Sequence, residues 1–271
     1  MNLKKVNFKK PNINKLNELG YTCVDMHVHS RYSDGFNRIF TILKRCKKKN
    51  IGLAITDHNE IKGSLEASKQ KDVLIIPAIE ITSKERVDFL IYFYSFNDLK
   101  RFYEKDVKKH IMEKEILSRT NKSIIEILED CRNYKCLVSL AHPFAYAYKN
   151  VSKFLKKKYN RKILDVDAIE VLNGEVTRKR NLKAVEWSNK FNKAVTAGGD
   201  AHIRTEVGSA VTCCKADNVN DFLEQIKKKK NIIVGKETRL TKKFISAISK
   251  LRKRVKGARP IILERIKDRL K

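Results

Sequence analysis

The sequence predicts an α/β protein whose parallel strands are covered by helices, arranged as either a barrel or a doubly wound sheet. Three observations lead to this prediction. Short β-branched runs alternate with amphipathic stretches along the chain. The 271 residues are 42% hydrophobic, which suffices for one domain with a sizeable core. Five of the six histidines fall beside a carboxylate or at the end of a predicted strand.

Seven segments are predicted as strands because they are short, rich in β-branched residues and bounded by polar or turn residues: 22–28, 52–56, 73–79, 87–94, 136–141, 168–172 and 194–197. Two helices are predicted from apolar residues at helical spacing, the first from Phe36, Phe40, Leu43 and Cys46, the second from Ile124, Ile127, Leu128 and Cys131. The highly charged segment 97–121 is expected to form exposed helix.

Composition divides the chain into three parts. Residues 1–20 are polar and rich in Lys and Asn, and are expected to form an extension before a folded domain at 21–235. Residues 236–271 hold 14 Lys and Arg against 3 Asp and Glu, a net charge of +11. An apolar stripe in this basic tail predicts an amphipathic helix, and Pro260 can open a second helix. The stripe comprises Leu240, Phe244, Ile248, Leu251 and Val255.

The net charge of +29 favours polyanionic partners or substrates, although dense lysine surfaces also occur without a role in recognition. No apolar run approaches the roughly 20 residues of a membrane helix, and the first residues lack the pattern of a secretory signal. A cytoplasmic protein is therefore expected. The six cysteines form no CxxC pair and are expected to be reduced and structural.

The histidines and acids occur in six ordered motifs, which read DMHVHS, SDG, TDH, IE, AHP and DAH. The carboxyl ends of strands in a β/α barrel meet at one face, so these motifs can converge although they are far apart in sequence. Alternation places His27 and His29 on one side of their strand. Imidazole and carboxylate ligands suit Zn²⁺, Mn²⁺ or Fe²⁺. A lone histidine would more often be a hydrogen-bonded core residue, but six motifs together favour a metal centre.

Two acids beside the histidines are expected to orient ligands. Asp25 lies on the same face as His27 and His29, but buried parallel strands often carry one acid that supports a ligand. Asp57 could likewise orient His58 without touching metal.

Taken in order over about residues 21–235, the motifs resemble the polymerase and histidinol phosphatase (PHP) superfamily. The resemblance implies a distorted (β/α)₇ TIM-like barrel, here followed by the basic helical tail. It implies hydrolysis of phosphoesters at two or three divalent ions, which could be Mn²⁺, Zn²⁺ or Fe²⁺, with Mg²⁺ possible. By the same resemblance, one ion is held by His27, His29, Glu80 and Asp200, with Glu80 bridging, and a second by Asp34, His58 and His202.

In trinuclear members a third ion is held by the bridging glutamate, by the histidine that corresponds to His142, and by a histidine on the strand after Glu80. This chain has Asp88 at that last position. Asp88 could still ligate a hard ion and shift the preference toward Mn²⁺ or Mg²⁺. The alternative is an exposed acid at a strand edge.

A metal-activated water needs no protein nucleophile, and the chain has neither a GxSxG elbow nor a glycine-rich phosphate loop. Candidate contacts for the substrate phosphate are Arg204, Arg31, Arg178 and Arg180. A nucleotide or the end of a nucleic acid is the expected substrate. The alternatives are a nucleic-acid-binding protein on a scaffold without turnover, or a tail that lies on an anionic membrane.

Overall fold

The computed structural model describes residues 5–112, 119–145, 151 and 162–237. Within them are eleven strands: β1 Val6–Asn7, β2 Thr22–Val28, β3 Gly52–Ile55, β4 Ile75–Ile76, β5 Ala78–Thr82, β6 Asp88–Phe93, β7 Cys136–Leu140, β8 Ala168–Asn173, β9 Ala194–Gly198, β10 Ala210–Cys214 and β11 Ile232–Gly235. They form two sheets, with the orders β1-β11-β10-β2-β3-β4 and β5-β6-β7-β8-β9.

The described helices are α1 Ile13–Glu18, α2 Ile39–Lys49, α3 Lys62–Ala67, α4 Phe96–Phe102, α5 Ile124–Cys131, α6 Arg178–Lys190 and α7 Val219–Lys227. A π-helical turn at Tyr103–Val107 and a 3₁₀ turn at Lys108–His110 extend α4. Another 3₁₀ turn spans Lys162–Leu164. The α5 helix begins with a capping box in which Ser123 and Glu126 satisfy each other's backbone N–H groups.

The mixed α/β class is confirmed, but the strands are not all parallel. β2, β3 and β4 pair in parallel, as do β7, β8 and β9, whereas β6 runs antiparallel to β5 and β7. Only residues 83–87 connect β5 to β6, and a parallel crossover needs a dozen residues or more. The chain therefore has to reverse as a hairpin at this point.

A closed seven-stranded barrel is not confirmed. Within the described residues the two sheets meet through isolated bridges, one between His58 and Glu80 and one between Val28 and Ala201. Both bridges lie next to predicted metal ligands. The junctions between the sheets thus bring the ends of β2, β3, β5 and β9 to one place.

Several boundaries differ from the prediction. The predicted strand 73–79 is divided between the two sheets at Pro77, which has no N–H to donate to a ladder. β1, β10 and β11 were not predicted. The segment predicted as an N-terminal extension contributes β1 and α1 to the fold, since Val6 is buried and pairs with Ile233.

The core is formed by buried apolar residues of the strands and of the helices that pack on them. The first predicted helix begins at Ile39, and its buried face is formed by Ile39, Ile42, Leu43 and Cys46. The prediction was wrong for Phe36 and Phe40, which are exposed. In the segment 97–121, Leu99, Phe102 and Val107 are buried, so this part is not simply exposed helix.

No disulfide joins any of the six cysteines, all of which are described and buried. Of the predicted basic tail, residues 238–271 lie outside the described residues. Among the helices that the structure describes, none combines the length and the apolarity needed to cross a membrane.

Candidate metal centre

The centre of the site is formed by two histidines at the carboxyl end of β2. His27 and His29 are both buried and lie on the same side of the strand. Their Nε2 atoms are 3.1 Å apart. Two imidazoles at this separation each direct a ring nitrogen into one small volume.

Glu80 on β5 reaches this volume across the junction between the sheets. Its Oε2 lies 3.5 Å from His27 Nε2, 3.4 Å from His29 Nε2 and 3.0 Å from His58 Nδ1. His58 follows β3 and arrives through its backbone bridge to Glu80. One carboxylate thus faces three imidazoles from two strands.

Asp200 and His202 follow β9 and approach from the other side. Asp200 Oδ1 lies 3.2 Å from His29 Nε2 and 3.6 Å from His27 Nε2. His202 Nε2 lies 3.1 Å from Asp34 Oδ2, and Asp34 Oδ1 lies 3.5 Å from His29 Nδ1. The loop after β2 therefore brings Asp34 back over the histidine that precedes it.

Asp88 is 2% exposed, so the alternative of an exposed strand-edge acid is wrong. Asp88 is the first residue of β6. Because β6 runs antiparallel to β5, Asp88 pairs with Thr82, which is two residues after Glu80 on β5. His142 follows β7, with Nε2 at 3.3 Å from Glu80 Oε1 and 3.7 Å from Asp88 Oδ2. The structure thus places ligand atoms of both residues near the Glu80 carboxylate.

Ligand-type atoms lie within 4.8 Å of one another in five groups: His27, His29 and Glu80; His29, Asp34 and His58; His29, Asp200 and His202; His27, His142 and Asp200; and His58, Glu80 and Asp88. Both oxygens of Glu80, Nδ1 of His29 and Oδ1 of Asp34 are buried and have no well-formed hydrogen bond to any residue that the structure describes. Buried polar atoms rarely remain so in a folded protein. Divalent cations would satisfy them, so these residues fit a metal centre.

The electrostatics of the cluster point the same way. Burial lowers the pKa of His29 to about 4, helped by the neighbouring His202, so His29 is neutral and one of its ring nitrogens keeps a lone pair for a ligand bond. Burial opposes ionisation of Glu80, yet His58 and His27 hold the pKa of its carboxyl well below the ordinary value. Asp34 behaves likewise beside His202 and His58, which lower its pKa. The cluster therefore offers carboxylates and at least one neutral imidazole.

Burial lowers the pKa of His27, but the carboxylates of Asp200, Glu170 and Glu80 outweigh this and hold it well above its usual value. A metal that binds at Nε2 must displace a proton from this ring. Metal and proton therefore compete at His27.

The carboxylates of Asp25 and Asp57 accept hydrogen bonds from backbone and hydroxyl groups of the nearby loops, and not from the imidazole rings of the candidate ligands. Asp25 accepts hydrogen bonds from the N–H groups of Gly199 and Gly208, both at 2.7 Å, which ties β2 to the loop that carries Asp200. Asp57 accepts from the Ser30 N–H at 2.7 Å and from the Ser33 hydroxyl at 2.5 Å. Asp57, predicted to orient His58, thus anchors the loop that carries Asp34.

Two candidate ligands have unusual backbone conformations. His142 has φ 24° and Asp200 has φ 48°, both in the left-handed region that non-glycine residues rarely adopt. Such conformations concentrate at functional sites, where the surrounding structure enforces them. Both residues turn directly after a strand, and the turn directs each side chain back toward the cluster.

The predicted phosphate contacts lie in different surroundings. Arg204, two residues after His202, and Arg31, two residues after His29, are exposed. Arg178 instead donates to both carboxylate oxygens of Glu237 and lies over the ring of Phe8, 4.3 Å from its centroid. Arg180 donates to the carbonyl of Phe144 at 2.7 Å. The contacts of Arg178 are thus with the two ends of the described chain, and not with the cluster.

Sequence reasoning missed Glu170 and Asn173 on β8. The Glu170 carboxylate accepts from His27 Nδ1, from the His142 N–H and from Asn173 Nδ2, at 2.9, 2.9 and 3.0 Å. Asn173 Nδ2 also donates to Asp200 Oδ2 at 3.2 Å. One signal was available, since an acid inside the apolar run AIEVL is costly to bury without a partner.

Glu206 is a further missed acid, because its Oε2 accepts from the backbone N–H groups of His202 and Ile203. Burial, and then the neighbouring Glu175, raise the pKa of Glu206 to about 7. This carboxyl fixes the turn that presents His202.

Family comparison agrees with this geometry. A family model of the PHP domain matches residues 25–170, and a PHP-associated model matches residues 178–231. The uncharacterized protein MJ0417 of Methanocaldococcus jannaschii is 30% identical over 190 residues, which are 69% of this chain and 68% of that protein.

Solved structures with a similar fold were also found. Endonuclease Q, in complex with a 27-mer duplex substrate that carries an abasic lesion at the active site, matches with a TM-score of 0.64 and 20% identity, over 80% of this chain and 60% of that chain. A two-domain protein from Bacteroides vulgatus, described as containing a predicted PHP-like metal-dependent phosphoesterase, matches with a TM-score of 0.57 and 14% identity, over 85% and 68% of the two chains. At these identities the likeness establishes the fold.

Proposed function

The chain belongs to the PHP domain family, and we propose that it is a metal-dependent hydrolase that cleaves phosphoesters of a nucleotide or of a nucleic-acid end. The observation that carries this proposal is the Glu80 carboxylate. It is buried, neither oxygen has a well-formed hydrogen bond within the described part of the chain, and three imidazoles face one of its oxygens at 3.0 to 3.5 Å. A buried carboxylate that is surrounded by imidazoles but has no well-formed hydrogen bond fits a metal ligand better than a purely structural group.

The family resemblance suggests three ligand sets, and the contacts of these residues support them. His27, His29, Glu80 and Asp200 would hold one ion, and Asp34, His58 and His202 a second, with Glu80 shared. Glu80, His142 and Asp88 would hold a third. Imidazole and carboxylate together favour Mn²⁺, Zn²⁺ or Fe²⁺, and the added carboxylate of Asp88 also admits Mg²⁺ at the third position.

Bound divalent ions supply Lewis-acid activation of water and stabilise charge on the phosphoryl oxygens. The protein's own contribution is to hold the ligands rigidly. Asp25, Asp57 and Glu170 anchor the strands and loops that carry them, so little reorganisation is needed when substrate arrives. Arg31 and Arg204 are exposed beside ligand motifs and are the proposed contacts for the substrate phosphate.

The net charge of +29 supports a nucleotide or nucleic-acid substrate, because a positive field concentrates polyanions. Endonuclease Q, which has a similar fold, is described in complex with a 27-mer duplex substrate with an abasic lesion at the active site, and this supports a nucleic-acid substrate for a chain of this fold. Contact between the basic tail and nucleic acid is part of the same proposal.

The test is metal analysis followed by an activity screen. Purified protein is supplied in turn with Mn²⁺, Zn²⁺, Fe²⁺ and Mg²⁺ and assayed on nucleotides, oligonucleotides and sugar phosphates. Asp200→Ala should lose bound metal and reduce turnover by about 100-fold or more. Asp217→Ala, at an exposed position outside the cluster, is the control.

Phosphate or nucleotide release that is unaffected by Asp200→Ala would refute the proposal. Salt-dependent binding of nucleic acid that survives Asp200→Ala, with no turnover under any metal, would instead support the nucleic-acid-binding alternative.

A further inference from the structure

Two exposed aromatic side chains lie on the segment that follows Asp34. Phe36 is 62% exposed and Phe40 is 73% exposed, more than any other large hydrophobic residue that the structure describes. The Phe36 N–H donates to the His202 carbonyl at 2.8 Å. Gly35 packs so closely on β2 that an added Cβ would lie 2.3 Å from the His29 carbonyl oxygen. The backbone of Phe36 is therefore fixed beside the metal cluster.

Burial of the opposite face of α2 explains why Phe40 is exposed, whereas Phe36 lies three residues before the helix begins. α2 packs on the core through Ile39, Ile42, Leu43 and Cys46, so its other face is turned to solvent. Exposed apolar patches that are rimmed by polar residues mark interaction sites, although single exposed apolar residues are common. Phe36 and Phe40 together therefore need an explanation other than packing.

The same segment is strongly basic. Residues 31–50 carry seven Lys and Arg, and their one acid is the candidate ligand Asp34. Phe40, Lys44 and Lys48 follow one another at i, i+4 and i+8, which places them along one exposed face of α2. Arg38 is exposed between the two aromatic residues. The exposed surface of this segment thus carries an aromatic ring on each side of Arg38, the first of them next to the cluster, and then the two lysines along α2.

We propose that Phe36, Arg38, Phe40, Lys44 and Lys48 form a track that binds single-stranded nucleic acid and leads it to the metal cluster. The proposal rests on the proposed function and narrows its substrate class. Aromatic rings stack on unpaired bases and lysines follow the phosphates, which is how proteins bind single strands without reading sequence. A duplex hides its bases from such rings, and a base-free polyanion has nothing to stack.

The test measures binding of the full chain to a fluorescein-labelled single-stranded oligothymidylate by anisotropy, with a chelator present so that turnover plays no part. Phe36→Ala/Phe40→Ala should weaken binding about tenfold or more, because two stacking contacts are lost, with the salt dependence unchanged. Lys44→Glu/Lys48→Glu should weaken binding and also flatten its dependence on salt.

Matched controls are available in the same chain. Leu19→Ala removes another exposed hydrophobic side chain, and Lys105→Glu/Lys109→Glu reverses two exposed lysines beyond α4 for the same change in net charge. Both controls should stay within about twofold of the unmodified protein. Heparin, a polyanion without bases, should bind equally to the protein with and without the two phenylalanines.

Three results would overturn the proposal: unchanged oligonucleotide affinity in Phe36→Ala/Phe40→Ala, an equal loss of heparin binding in that variant, or an equal loss of binding to a blunt duplex. Because the chelated protein is measured, these outcomes are independent of whether the metal-loaded protein hydrolyses phosphoesters. A hydrolase that fails this test would remain a hydrolase, and binding without hydrolysis would refute only the proposed function.

Discussion

Replacement of Glu170 by glutamine tests whether β8, which supplies no predicted ligand, controls the metal centre. The Glu170 carboxylate is buried and accepts from His27 Nδ1, from the His142 N–H and from Asn173 Nδ2. All three partners are donors in this arrangement. Since Nδ1 donates to Glu170, the lone pair of His27 Nε2 can face the cluster.

Glutamine offers one acceptor oxygen and one NH₂ group, so in either orientation its NH₂ faces a donor. A buried polar group left unsatisfied costs about 1–3 kcal/mol. Loss of a carboxylate that orients a metal-bound histidine typically reduces metal affinity by about 10–100-fold, or ~1.4–2.7 kcal/mol. The first cost lowers the stability of the fold with or without metal, whereas the second acts on binding, and we expect Glu170→Gln to weaken metal binding by about 10–100-fold.

The assay is competition for Zn²⁺ or Mn²⁺ against a chromophoric chelator, with urea unfolding of the metal-free protein to separate folding from binding. Asp106→Asn is a matched control, because Asp106 is buried and accepts from the Tyr134 hydroxyl at 2.6 Å, outside the cluster. An affinity of Glu170→Gln equal to that of Asp106→Asn would refute the reasoning.

Three further outcomes are expected. Chelation should lower the melting temperature, and Mn²⁺ at about 100 times its dissociation constant should restore about 2.7 kcal/mol, as scanning calorimetry can measure. Gly198→Ala should cost about 3 kcal/mol in urea unfolding of the metal-free protein, because its Cβ would lie 2.3 Å from His27 Cβ. Gly20→Ala meets no atom within 4 Å but has φ +77°, so it should cost only the ~1–2 kcal/mol of a left-handed backbone. Inorganic phosphate should bind in calorimetric titrations with Mn²⁺ present and show no binding with chelator.

The sequence predicted those parts of the fold that depend on local pattern. β2 was predicted with its observed bounds, and the α/β class and the PHP resemblance are confirmed. The short strands β1, β10 and β11 were missed because their stability comes from distant partners: Val6 pairs with Ile233, and Thr212 with both Val24 and Ile233. The alternation of apolar and polar residues along one strand does not indicate which distant strand it will pair with.

For the candidate site, the sequence motifs predicted the residues that lie together in the cluster, but they did not predict Glu170 and Glu206, which support those residues. The alternation of residues along a strand predicts that His27 and His29 share one face. The role of Glu170, in contrast, can be recognised only when β8 is known to lie beside His142 and His27. Phe36 and Phe40 were misplaced for the opposite reason. Their spacing fits a buried helix face, but α2 begins at Ile39 and its rotation is set by packing. The cytoplasmic location and the domain boundaries stay predictions.

The charge of the cluster, set against that of the whole chain, explains why phosphate binding should require metal. The chain is strongly basic, but Asp34, Glu80, Asp88 and Asp200 place four carboxylates within the cluster. A phosphate drawn in by the surrounding field would meet these acids at a distance where repulsion is weakly screened. Two divalent ions balance four carboxylates, and a third makes the site positive. The positive field of the whole chain therefore attracts polyanions, and the bound metal ions are needed before a phosphate can enter the cluster.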